Sequence, residues 1–174
     1  MNTNDAAPVW LQAVALAVIL APTLVILALR RRIGRMNAAA ALVIWGALAA
    51  SSEHAMWAMR LAIHERSWSN PHSTVHYFMA GVYAAVAGVL LSVIALTLLR
   101  EGRRSGWFAV LFALLVGGSL ELIMNGPNGR LYHHIGLYGY VFAWLAALTV
   151  AYKPTFTSTA PVAAQTAHVR SSWS

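Results

Sequence analysis

Two glutamates stand where a strongly apolar chain rarely carries charge. Glu53 follows a charge-free run from Asn37 to Ser52, and Glu121 closes another from Ser105 to Leu120. Desolvation disfavours the carboxylate anion, so a glutamic acid in such surroundings keeps its proton near neutral pH and can donate it. Two of them sharing one apolar site would push their proton affinities apart, giving an acid and a base from one residue type. His54, next to Glu53, is placed to relay or tune a proton. A buried ion pair, Glu53 with Arg130 or Glu121 with Arg60, is the competing structural role for these carboxylates.

Helical spacing decides what accompanies them. At about 100° per residue, Glu53, Trp57, Arg60 and His64 share one stripe, with Gly46 on the same stripe two turns deeper, where a small residue lets a neighbouring helix come close. His133, Leu137, Tyr140 and Trp144 share another stripe near the C-terminus. Trp57, Arg60, Asn125, Tyr140 and Trp144 are the expected substrate contacts, their aromatic rings able to stabilise a developing carbocation. The histidines support a different chemistry. His72 and His76, four apart, can share a metal ion, and with His133, His134, His54 and the two glutamates they form a donor set for copper or iron.

The elements that must position these groups are five apolar runs: Ala6 to Leu29, Asn37 to Ser52, Tyr77 to Leu99, Ser105 to Leu120 and Ile135 to Tyr152. A membrane-spanning helix needs roughly 20 such residues, which each run reaches alone or with a polar extension. The fold expected is therefore all-α, a polytopic integral membrane bundle of about five transmembrane helices. It would occupy residues 1–153, followed by a disordered cytoplasmic tail over 154–174 that is rich in Ser, Thr and Ala. The first run has no basic residues before it and no small-residue cleavage site after it, and reads as a retained span. Asn70-Pro71 reads as a helix start, and Asn125 to Arg130, with its Gly-Pro-Asn-Gly core, as a turn.

Charge sets the orientation. Of 12 basic residues, nine flank one set of helix ends (Arg30, Arg31, Arg32, Arg35, Arg100, Arg103, Arg104, Lys153 and Arg170), against Arg60, Arg66 and Arg130 at the other. Short basic loops stay in the cytoplasm, so the N-terminus is expected outside and the C-terminus inside a bacterial cytoplasmic membrane. The net charge of +7 is then topogenic, and nucleic acid is not an expected partner. Membrane lipids are, since basic loops attract anionic headgroups. There is no cysteine, which excludes disulfides, thiolate metal sites and thiol nucleophiles.

Ser52-Glu53-His54 and Trp57 in the second run, Glu121 in the fourth and Tyr138-Gly139-Tyr140 in the fifth give the chain a resemblance to the emopamil-binding-protein or EXPERA group of small membrane proteins. That group comprises sterol isomerases and related sterol-binding proteins, and the resemblance implies a helical bundle placing carboxylates in a lipid-accessible pocket. The chain departs from the group's pattern at Ala80, where an acidic residue is expected, and at Ala146 and Thr149, where Asn and Trp are. The sterol isomerisation itself is not carried over.

Three functions follow as expectations. The first is acid–base catalysis of isomerase or cyclase type on a hydrophobic, lipid-like or terpenoid substrate, requiring no cofactor. The second is a copper- or iron-binding membrane protein or oxidase-like subunit. The third is a non-catalytic assembly subunit, working as a homo-oligomer or within a larger membrane complex.

Overall fold

The computed structural model describes residues 9–64, 71–125 and 131–157. Every element among them is helical: α1 (Val9–Ile33), α2 (Arg35–His64), α3 (Pro71–Ile94) continuing into a π-helical turn (Ala95–Leu99), α4 (Arg104–Asn125) and α5 (Leu131–Phe156). Among the described residues each apolar run thus falls in one continuous helical element. α3 begins at Pro71, where proline's fixed φ and missing N–H cost nothing. Residues 126–130, the expected turn, lie outside the described residues, as do 65–70 and 158–174.

α2 and α5 form the centre. α2 packs along α3 and α5, α1 lies against α5 and α2, and α4 lies against α5 while touching α3 at few points. The core is built mainly from small and branched side chains: Ala39, Leu42, Val43 and Ala47 of α2, Val110 and Leu114 of α4, and Ala143, Ala147 and Ala151 of α5. Alanine at these positions lets helix axes approach closely, and the large groups Tyr140 and Trp144 fill the space left between them.

One rim of the bundle is tightly turned. Gly34 alone joins α1 to α2, at φ 88°, the left-handed conformation in which a side chain would be strained. Four residues, Arg100 to Arg103, join the π turn to α4, with Arg100 N–H donating to Ala95 O at 2.9 Å across five residues. The two turns are tied together by Arg100 Nε, which donates to Asn37 Oδ1 at 2.9 Å. α5 ends at the same rim. It runs through Pro154 to Phe156 rather than stopping before the proline. Phe156 packs edge-on to Trp107 at 5.3 Å between centroids, and Thr155 is buried, so tertiary contacts hold a last turn that the proline alone would have ended. The expected boundary at residue 153 therefore falls inside α5.

The surface away from the rim is apolar. Val86, Val89, Leu90 and Val93 of α3, Phe108, Phe112 and Leu115 of α4, and Val14, Val18 and Val25 of α1 are all exposed. Among the described residues one stretch, Gly81–Leu99, is long and apolar enough to cross a membrane, at mean hydropathy 2.5, and Arg104–Ser119 is apolar but shorter. The expectation of five such spans is met by these measures in one. Asn37, Ser51 and Ser52 dilute α2, and Tyr138, Tyr140, Tyr152 and Lys153 dilute α5.

Candidate functional site

Because α3 and α4 meet so sparingly, a cleft of about 520 Å³ opens between them, floored by α2 and α5. Small residues at helical spacing form part of its walls, beside Leu90, Leu91 and Ile94 of α3. Ala84, Ala87 and Gly88 face it from α3, and Ala109, Ala113 and Gly117 from α4. These short side chains leave part of the volume between the helices unfilled. Phe112 and Val116, both exposed on the bundle surface, stand at its edge.

The floor is held rigidly. Trp144, 7% exposed, donates from Nε1 to the carbonyl oxygen of Val43 at 3.1 Å, pinning α5 to α2. Its ring lies 5.2 Å from that of Tyr140 at an interplanar angle of 52°. Gly46 makes the approach possible: a Cβ there would collide with the Trp144 indole. On the α3 side Ser51 Oγ donates to Ala84 O at 3.1 Å, closing α2 onto α3 beside the cleft. The lining is thus almost wholly apolar, with aromatic faces at its base and the Ser51 hydroxyl engaged by backbone.

Of the residues singled out from sequence, the structure brings Tyr140 and Trp144 together on one wall and places Gly46 against Trp144, as the shared stripe requires. Glu53, His54, Trp57 and Arg60 belong to α2, His72 and His76 to α3, Glu121 and Asn125 to α4, and His133 and His134 to α5. Their side chains lie outside the described residues. No group of metal-binding side chains occurs among the described residues, and the side chain of every histidine of the copper or iron set lies outside the description.

Helical register nonetheless relates the glutamate positions to the core. Glu53 is seven residues beyond Gly46, in line with the stripe that meets Trp144, and Glu121 is seven beyond Leu114, in line with buried Val110 and Leu114. His54 continues the line of Ala47 and Ser51, which face the cleft. The cleft itself was missed in sequence. Its signal was present in the four-residue spacing of small residues, Ala84 and Gly88 on α3 and Ala109, Ala113 and Gly117 on α4.

No family model, no curated protein and no solved structure matches the chain. The functional reading rests on its own residues.

Proposed function

We propose that the chain is a polytopic membrane bundle of five spans that admits a hydrophobic, lipid-like or terpenoid molecule into the cleft between α3 and α4, where Glu53 and Glu121 perform acid–base chemistry on it. The observation that carries this reading is the apolar cleft of about 520 Å³ floored by Tyr140 and Trp144 and open at the bundle surface. Ligand pockets of this size are lined mainly by apolar and aromatic groups with few polar ones.

Immersion in a membrane is supported by the outward faces. A water-soluble protein rarely exposes contiguous apolar patches beyond a few hundred Å². Here only 11% of the Gly81–Leu99 window is buried although it is the most apolar helix, the reverse of a soluble core helix. The described basic residues gather at the opposite pole of the design, on the rim formed by the ends of α1, α3 and α5 and the starts of α2 and α4, as cytoplasmic retention of positive loops requires.

In this reading Glu53 and Glu121 divide the proton-donor and proton-acceptor roles, His54 tunes one of them, and the Tyr140 and Trp144 rings stabilise positive charge developing on a carbon skeleton. The registers of the two glutamates, each in line with a core stripe that meets α5, favour convergence at the end of the bundle away from the basic rim. The test is to fill the cleft: Ala113→Phe should exclude a co-purifying lipid that mass spectrometry detects in the wild-type protein. Identical lipid content in the two proteins sinks the proposal.

A further inference from the structure

A second groove, of about 610 Å³, lies at the basic rim, and its chemistry differs from that of the cleft. Its floor is apolar, built from Leu111 of α4 and Leu145 and Leu148 of α5, with Trp107 beside them. Its mouth carries three cations from three helices: Arg30, Arg35 and Lys153. From Leu145 to Lys153 it follows α5 for about 12 Å, at about 1.5 Å per residue.

Of the other described cations of the rim, Arg31 and Arg32 stand exposed outside the groove, and the remaining three are engaged. Arg103 pairs with Glu101 at 2.7 Å, Arg100 donates to Asn37, and the Arg104 guanidinium sits 5.4 Å from the Phe156 ring centroid. Among the described residues no carboxylate lines the groove. Arg35 and Lys153 have no side-chain partner among the described residues, and Arg30 donates only to the Leu27 carbonyl. Two of the polar groups that line it are already satisfied: Thr149 Oγ1 donates to Leu145 O at 2.8 Å and Trp107 Nε1 to Leu148 O at 2.9 Å. A peptide would find no backbone partners there, and a free phosphate would leave the apolar length uncovered. The complement of three unneutralised cations above a hydrocarbon trough is an anion on a hydrocarbon chain.

We propose that this groove is a binding site for one anionic phospholipid, its phosphate held by Arg30, Arg35 and Lys153 and an acyl chain laid along Leu145, Leu148 and Leu111. The site is separate from the cleft between α3 and α4 and does not depend on any catalytic role of the glutamates.

The experiment is native mass spectrometry of the delipidated full chain in detergent, titrated with dioleoylphosphatidylglycerol or with dioleoylphosphatidylcholine, which shares the same chains. One phosphatidylglycerol should be retained, at least about tenfold more tightly than phosphatidylcholine. A basic residue beside an anionic headgroup contributes roughly a fivefold factor in affinity, so Arg35→Ala with Lys153→Ala should weaken retention by about 25-fold. Both positions are exposed, and an unchanged melting temperature will show that the fold is intact. Leu145→Trp, which fills the trough and leaves the charges, should also weaken it. Equal retention of the two lipids, or unchanged phosphatidylglycerol binding in the double variant, overturns the proposal. So does full competition by millimolar inorganic phosphate with no effect of Leu145→Trp, which would mark a phosphate site instead.

Discussion

Trp144 on α5 donates its indole proton to the carbonyl oxygen of Val43 on α2, 101 residues away in sequence, and does so over the bare backbone of Gly46. Three residues from two helices thereby form one joint at the base of the cleft. Val43 O lies in a helix and already serves the backbone ladder, so the indole uses its second lone pair. The joint fixes both the separation of α2 and α5 and the orientation of the aromatic floor.

Gly46→Ala should lower stability by about 1–3 kcal/mol, the usual cost of forcing extra volume into a packed interior. Trp144→Phe, which keeps a ring but deletes the donor and shrinks the floor, should cost about 1–2 kcal/mol. Thermal unfolding in detergent, followed by tryptophan fluorescence for the first and circular dichroism for the second, measures both. An unaltered melting temperature for Gly46→Ala would mean that the helices are not in contact there.

Topology is open to labelling, because the native chain has no cysteine to interfere. In intact cells a membrane-impermeant maleimide should react with Asn70→Cys and not with Glu101→Cys. The reverse pattern would invert the bundle, and reaction at both positions would deny that a membrane separates them.

Glu53→Gln and Glu121→Gln should each abolish conversion of a molecule that occupies the cleft while leaving the melting temperature within a few degrees of wild type. Glutamine keeps the shape and hydrogen bonding of glutamate but transfers no proton. Product analysis of co-purified lipid by mass spectrometry reads the result. Retained conversion in both variants, with loss on replacing His72 and His76, moves the chemistry to a metal, which elemental analysis of the purified protein for copper and iron would then have to show.

Trp107→Phe should loosen α4 from α5 by about 1 kcal/mol through loss of the bond to Leu148 O, while the ring contacts with Phe156 and Phe108 persist. Hydrogen exchange at the amides of the last two turns of α5 should quicken relative to those of α2. Equal protection in both proteins would place the strength of that contact in ring packing alone.

Much of the architecture could be read from the chain, for a simple reason. Five charge-free runs separated by arginines and turn residues leave little freedom in where helices begin, and Gly46 four places before Ala50 and seven before Glu53 marks a close approach. What escaped is what depends on partners. Whether Pro154 ends a helix is settled by Phe156 packing on Trp107, which local propensity does not contain. A cleft is a property of two helices failing to meet, and residue spacing along either one only hints at it. The pairing of Tyr140 with Trp144 was legible because the two share a stripe and have large rings that must be accommodated somewhere.

The tight basic rim has a mechanical corollary. α3 and α4 are leashed to each other by four residues at that end and α1 to α2 by one, while Arg100 and Asn37 clip the two leashes together. Separation of α3 from α4 is therefore bounded most tightly at the rim, and farther from it is limited only by the packing of α3 on α2 and of α4 on α5, as the arms of a clothes-peg part most widely far from the spring. A guest entering sideways would spread the bundle chiefly at the far end. The width of that opening, more than the affinity of the floor, would set how bulky a guest can pass.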